Sequence, residues 1–171
     1  MIHHISLDVE TVVTATRRAY ELGQLHNSIT KGGGNLAGFV GEEMVKSFFP
    51  NISHENTYDY DLRLAGATMD VKTKRTTVAP KPHYECSVAA YNTKQDTDVY
   101  VFCRVRNNYA EGWVLGFYPK DLYYDDATFM EKGQIDPDNN FTVKADCYNL
   151  PISSLWDITD LPEYVAVGKS T

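Results

Sequence analysis

The sequence predicts an α/β domain, a mixed β-sheet flanked by helices, on three observations. Apolar residues recur at helical spacing in the first fifty positions, the period falls to two after Tyr58, and residues 98–106 form a nearly unbroken β-prone run. With 171 residues the chain can bury one full core. We read it as a single domain over 1–171, with a core over 1–120 and an acidic C-terminal extension over 121–171 that adds further strands.

The first helix is expected from Asp8 to about Leu25, where Val9, Val12, Val13, Ala19 and Leu22 share a face and Asp8 supplies an N-cap. A Gly-rich connector at 26–34 follows; it lacks the Gly-Lys-Ser/Thr of a phosphate-binding loop. Asn35 caps a second helix over 36–49, stopped by Pro50 and apolar on most of its circumference although Glu42 and Glu43 lie in its middle. From 58 to 64, Tyr58, Tyr60, Leu62 and Leu64 alternate with Asp59, Asp61 and Arg63, which predicts a strand; Ala65-Gly66 turns it into a returning strand over 68–73. Further strands are expected at 84–89, at 98–106 as the buried centre, and at 113–118. A short helix follows within 119–129, then one or two strands between 141 and 156.

Composition excludes several classes. Hydrophobic residues at 43% and charged residues at 23% are incompatible with a disordered chain, and no apolar run is long enough for a membrane span. The N-terminus has no basic head or apolar stretch of a signal peptide. Cys86, Cys103 and Cys147 form neither a disulfide scaffold nor a close thiolate pair, which suits a reducing cytoplasm and no membrane partner. The net charge is −7, but the excess is local: residues 1–120 are neutral, whereas 121–171 carry 3 basic against 10 acidic residues. Between 71 and 81, Lys72, Lys74, Arg75 and Lys81 stand without an acid, a patch suited to a polyanion despite the overall charge. A solvated basic loop reads the same pattern without function.

The chemistry-bearing constellation is Glu42 on the buried helix, Asp61 (or Asp59) on one strand, and Asp70-Val71-Lys72 on its hairpin partner. Residues 70 and 72 project from one strand face, so a carboxylate and an ammonium stand side by side. Three carboxylates gathered where burial is costly call for a cation, and hard oxygen donors suit Mg²⁺, with Mn²⁺ as substitute. Such a metal activates water and stabilises charge on a phosphate, while Lys72 is placed to hold the attacking water or the developing charge. Taken singly the parts have plainer readings: Glu42 and Lys46, four apart, suit a helical ion pair, and a lone D-x-K is frequent by chance.

Gly38-Phe39-Val40-Gly41-Glu42, Tyr58-Asp59-Tyr60-Asp61, Gly66 and Met69-Asp70-Val71-Lys72-Thr73 together resemble the PD-(D/E)xK nuclease superfamily, most closely its small phage-encoded members. The resemblance covers about residues 36–75. It implies a restriction-endonuclease-like mixed sheet flanked by helices and a metal site in which Asp61, Asp70 and the auxiliary Glu42 are ligands, with the Val71 carbonyl as a further donor and Asp59 as the alternative to Asp61. Glu42, Asp61, Asp70 and Lys72 are then the catalytic set. No proline precedes Asp61, and the acid of the D-x-K is Asp rather than the commoner Glu.

The function this implies is a Mg²⁺-dependent endonuclease on DNA, in preference to RNA, in the cytoplasm (the host's, for a phage-encoded chain). Lys74, Arg75 and Lys81 are expected to bind DNA, with the acidic C-terminal third turned away from it. One cluster per chain means that cutting both strands in one encounter needs a homodimer. The alternative is a nucleic-acid- or protein-binding module on the same fold, without catalysis. Elsewhere the signals are weak. His3-His4 is expected to be exposed, His83-Tyr84-Glu85-Cys86 lacks partner ligands at zinc spacing, and Cys103 is expected to be a core residue. Tyr84, Tyr91 and Tyr109 suit either the core or base stacking.

Overall fold

A six-stranded mixed sheet organises the chain in a computed structural model that describes residues 1–25, 36–136 and 140–168. The predicted connector at 26–34 and its cap Asn35 lie outside the described residues. The strands are β1 (His3–Ser6), β2 (Ser53–His54), β3 (Leu62–Leu64), β4 (Ala67–Thr76), β6 (Val99–Arg106) and β7 (Glu111–Pro119), with β5 (Glu85–Ala89) leaving for a second sheet. Their order is β1-β7-β6-β4-β3-β2; β4 and β6 run parallel and every other pair is antiparallel. This bears out the mixed sheet flanked by helices and the central place of the 98–106 run.

Helix α1 (Val9–Leu25) starts where expected, the Asp8 carboxylate accepting the Thr11 N–H at 2.7 Å. Helix α2 (Leu36–Lys46) ends earlier than Pro50 alone would require, because the Ser47, Phe48 and Phe49 N–H groups turn back to the carbonyls of residues 44–46. Both helices cover one face of the sheet, where Ala15, Ala19, Phe39, Val40, Met44 and Val45 pack on Met69, Val71, Val101, Cys103 and Val105. Gly41 makes this approach close: a Cβ there would lie 1.9 Å from Thr73 Oγ1.

On the opposite face, Tyr100, Phe102, Trp113 and Leu115 form a second core with helix α3 (Lys120–Asp126) and a three-stranded sheet in which β11 (Cys147–Pro151) lies between β5 and β8 (Thr128–Met130). The strands β8 (Thr128–Met130), β9 (Ile135–Asp136), β10 (Phe141–Thr142) and β11 (Cys147–Pro151) are the extra C-terminal strands. Helix α4 (Leu161–Gly168) returns to the first face through Leu161 and Val165. No described helix is long and apolar enough to cross a membrane.

Two expectations and one plainer alternative reading are corrected. The strand predicted over 58–64 is only Leu62–Leu64, because the Thr57 hydroxyl takes the N–H groups of Asp59 and Tyr60 and folds the preceding residues into a turn. His3 is not exposed. It lies in β1, bonds the Asp157 carboxylate at 2.9 Å and packs edge-on against Phe48. Glu42 does not pair with Lys46; its partners are Asn56 and Arg18.

Candidate active site at the open edge of the central strand

Strand β4 carries the D-x-K. Its odd residues Met69 and Val71 face the helices. Its even residues Asp70, Lys72 and Lys74 register beside Tyr100, Phe102 and Arg104 of β6, on the opposite face. The hairpin closes on Ala65 and Gly66, both at positive φ (50° and 90°), as a two-residue turn requires. β3 is short, so ladder pairing with β4 stops at Met69. Beyond that point, among the described residues, the outer edge of β4 has no strand beside it. Asp61 occupies this edge: its N–H donates to the Met69 carbonyl at 2.9 Å and its Oδ2 accepts the Val71 N–H at 2.8 Å. In a strand one residue's N–H and C=O point to the same side, so the Val71 carbonyl faces this open edge too.

The carboxylates form a chain around the edge rather than one closed cage. Glu42 approaches from the helix face and is 3% exposed; Asp70 is 5% exposed on the other face; Asp61 stands between them. Glu42 Oε1 accepts from Asn56 Nδ2 at 2.6 Å, and Oε2 lies 3.5 Å from Arg18 Nη1. Arg18 also contacts Glu43, donates to the side-chain Oδ1 of Asn56 and lies over the Phe39 ring. Lys72 Nζ sits 2.6 Å from Asp70 Oδ2 and donates to Gln95 Oε1 at 3.2 Å. Gln95 in turn donates to the Tyr58 carbonyl at 3.0 Å and reaches Asp70 Oδ1 at 3.5 Å.

Two acids are pushed far up. Burial, then the Asp61 charge, raises Glu42 to about 8; burial, then the Asp70 charge, raises Asp61 to about 7. Arg18 and Lys72 are too few to neutralise three carboxylates so placed. Glu42 and Asp61 share the lining of a cavity of about 180 Å³ with Phe39, Asn56, Thr57 and Val71, room enough for a hydrated ion. Asp70 Oδ2 is buried against the Lys72 ammonium at 2.6 Å, an ion contact without hydrogen-bond geometry. Hard oxygen donors and excess negative charge fit a divalent cation. Among the described residues, however, no three His, Cys, Asp or Glu side chains stand ready as a metal-ligand group. Each acid is instead engaged by the chain.

Glu42, Asp61, Asp70 and Lys72 thus stand around one strand edge, but not on one face: Glu42 lies on the helix side and Asp70 and Lys72 on the opposite side. Asp59 is not part of the group: its carboxylate accepts the Asp96 N–H at 3.0 Å, a loop contact. Lys74 shares the Lys72 face, whereas Arg75, one residue on, points the other way, and Lys81 is exposed in a loop. Sequence reading missed Arg18, Asn56 and Gln95. Arg18 looks like one of many helix-surface cations, and the two amides sit in loops whose placement only the tertiary fold decides.

A larger cleft of about 770 Å³ adjoins the first, with Gly38 and Val71 lining both. Its walls carry Lys72, Lys74 and Arg104 from the sheet and Phe141, Val143 and Lys144 from the C-terminal third. The acidic third therefore does not turn wholly away from the basic strand; it builds the opposite wall. Tyr84 lines this cleft, while Tyr91 is exposed and Tyr109 packs against the helix-side core. Cys103 is a core residue, its thiol pushed up by complete burial. No protein-family model matches the chain, and no curated protein matches it significantly.

Proposed function

We propose that the open edge of β4 is the active site of a metal-dependent nuclease of the PD-(D/E)xK type, hydrolysing phosphodiester bonds in DNA. The observation that carries this is the run Glu42–Asp61–Asp70–Lys72 around an unpaired strand edge, with Glu42 and Asp61 pushed up by burial and by the next acid in the run. Asp61, Asp70 and the Val71 carbonyl would hold Mg²⁺, with Glu42 reaching it through water. The ion would supply Lewis acidity at the phosphate and a water of lowered pKa.

The chain's own residues divide the remaining work. Lys72, tethered by Gln95, presents a compact positive charge where the attacking oxygen and the pentavalent phosphate gather negative charge. Gln95 fixes both Lys72 and Asp70, so the D-x-K pair keeps its spacing. Arg18 and Asn56 hold Glu42 toward Asp61 rather than toward solvent.

Incubation with supercoiled plasmid tests this reading. Cleavage is expected with Mg²⁺ or Mn²⁺, little with Ca²⁺, and none in chelator. With one cluster per chain, a monomer accumulates nicked circles before linear product, whereas a two-fold dimer yields linear product early. A second reading, a binding module without catalysis, is favoured by the closure of Lys72 on Asp70. DNA binding with no turnover in either metal would select it.

A further inference from the structure

We propose that the 770 Å³ cleft is a single-strand DNA subsite, receiving an unpaired stretch of the substrate beside Lys72 rather than an intact duplex. The inference rests on the nuclease reading and specifies its substrate. Size is the first argument. The cleft is in the range of a small-ligand site, about 300–1,000 Å³. A cleft of that size takes a few splayed groups at a time, as a small-ligand site does.

Charge is the second. Lys74, Arg104 and Lys144 line the cleft, and none is in an ion pair with a described residue. Arg104 is only 6% exposed, and its one hydrogen bond among the described residues goes to the Glu85 carbonyl at 3.1 Å. A guanidinium buried on a neutral carbonyl is costly without an anion, and a phosphate provides one. Loss of hydration, then Arg104 and Lys144, lowers the Lys74 pKa, the mark of cations crowded without a counter-charge. Glu85 and Asp136 also line the cleft, each already engaged by other groups of the chain.

Aromatic placement is the third. Lys74 lies 5.2 Å from the Phe141 ring centroid and Arg104 lies 5.2 Å from that of Tyr84. Two rings thus stand beside cations of the sheet wall, the combination that holds a base and its phosphate in single-strand sites. Phe141 is 44% exposed and open to stacking.

The test is fluorescence anisotropy of a labelled twelve-residue oligothymidylate on the full chain in chelator, where no cleavage occurs. Unlabelled oligothymidylate should compete at least tenfold better than a blunt twelve-base-pair hairpin. Phe141→Ala should weaken binding at least fivefold, and Lys74→Ala should reduce both affinity and the salt slope, by about 0.7 for one phosphate contact on a single strand. Melting temperatures within roughly two or three degrees of wild type qualify the variants; Lys74→Gln replaces Lys74→Ala, and Phe141→Leu replaces Phe141→Ala, where either fails. Equal competition by the duplex, or wild-type binding by both folded variants, would overturn the subsite. Tighter binding of oligouridylate would overturn its assignment to DNA. Plasmid cleavage is read separately: duplex cutting without single-strand preference refutes the subsite alone, and single-strand binding without cutting refutes the nuclease alone.

Discussion

At neutral pH Glu42 and Asp61 are partly protonated, because burial, with the Asp61 charge beside Glu42 and the Asp70 charge beside Asp61, holds them at about 8 and 7. A cation entering beside them must displace those protons. Calorimetric Mg²⁺ titrations at pH 7 in two buffers of different ionisation enthalpy should therefore reveal release of on the order of one proton per ion, vanishing near pH 9.5. The pair Asp70–Lys72 makes a different prediction. Asp70→Asn and Lys72→Ala should each lower cleavage at least ~10³-fold, since each removes charge stabilisation at the reacting phosphate. Asp70→Asn should nonetheless melt at or above the wild-type temperature in metal-free buffer, because Asp61 loses a repelling neighbour. Glu42→Gln should cost less activity, acting through water.

At the scale of elements, the contact between α2 and β4 decides whether these groups meet. Gly41 faces Thr73 with no room for a methyl group. Gly41→Ala should destabilise the protein by about 1–3 kcal/mol in denaturant titration and displace Glu42 with its helix, lowering activity as well. Both helices, the 98–106 strand, the 65–66 turn and the D-x-K strand were legible because their periodicity and turn chemistry are local. Strand β1 was not: His-His-Ile-Ser has little strand character and becomes a strand by pairing with β7. Helix α4 had a readable signal that sequence reading passed over, Pro162 at its start followed by Glu163. The site was legible in its four motif residues and illegible in its supports. Arg18 and Gln95 reach it across 24 and 25 residues of chain, from Glu42 and Asp70 respectively.

For the whole molecule, the buried acids set the pH response. In the unfolded chain Glu42 and Asp61 ionise near 4.5 and 3.8, whereas in the fold they keep their protons to about 8 and 7. The folded state binds more protons across that window, so metal-free stability falls as pH rises through it. His54 acts oppositely, held at about 4 against 6.5 by burial and then Arg18, but only below 6.5. From pH 6.5 to 8 the acids dominate. Metal-free wild type should lose on the order of 2 kcal/mol there, a slope that Glu42→Gln reduces and saturating Mg²⁺ abolishes, as equilibrium denaturation at each pH would show.

The central claim is that the β4 edge hydrolyses phosphodiesters with a divalent cation. Its most direct measurement is cleavage of an end-labelled DNA strand by wild type and by folded Asp70→Asn, with Mg²⁺ and with chelator. The account predicts product only for wild type with Mg²⁺. Equal product from Asp70→Asn, or from wild type in excess chelator, would contradict it.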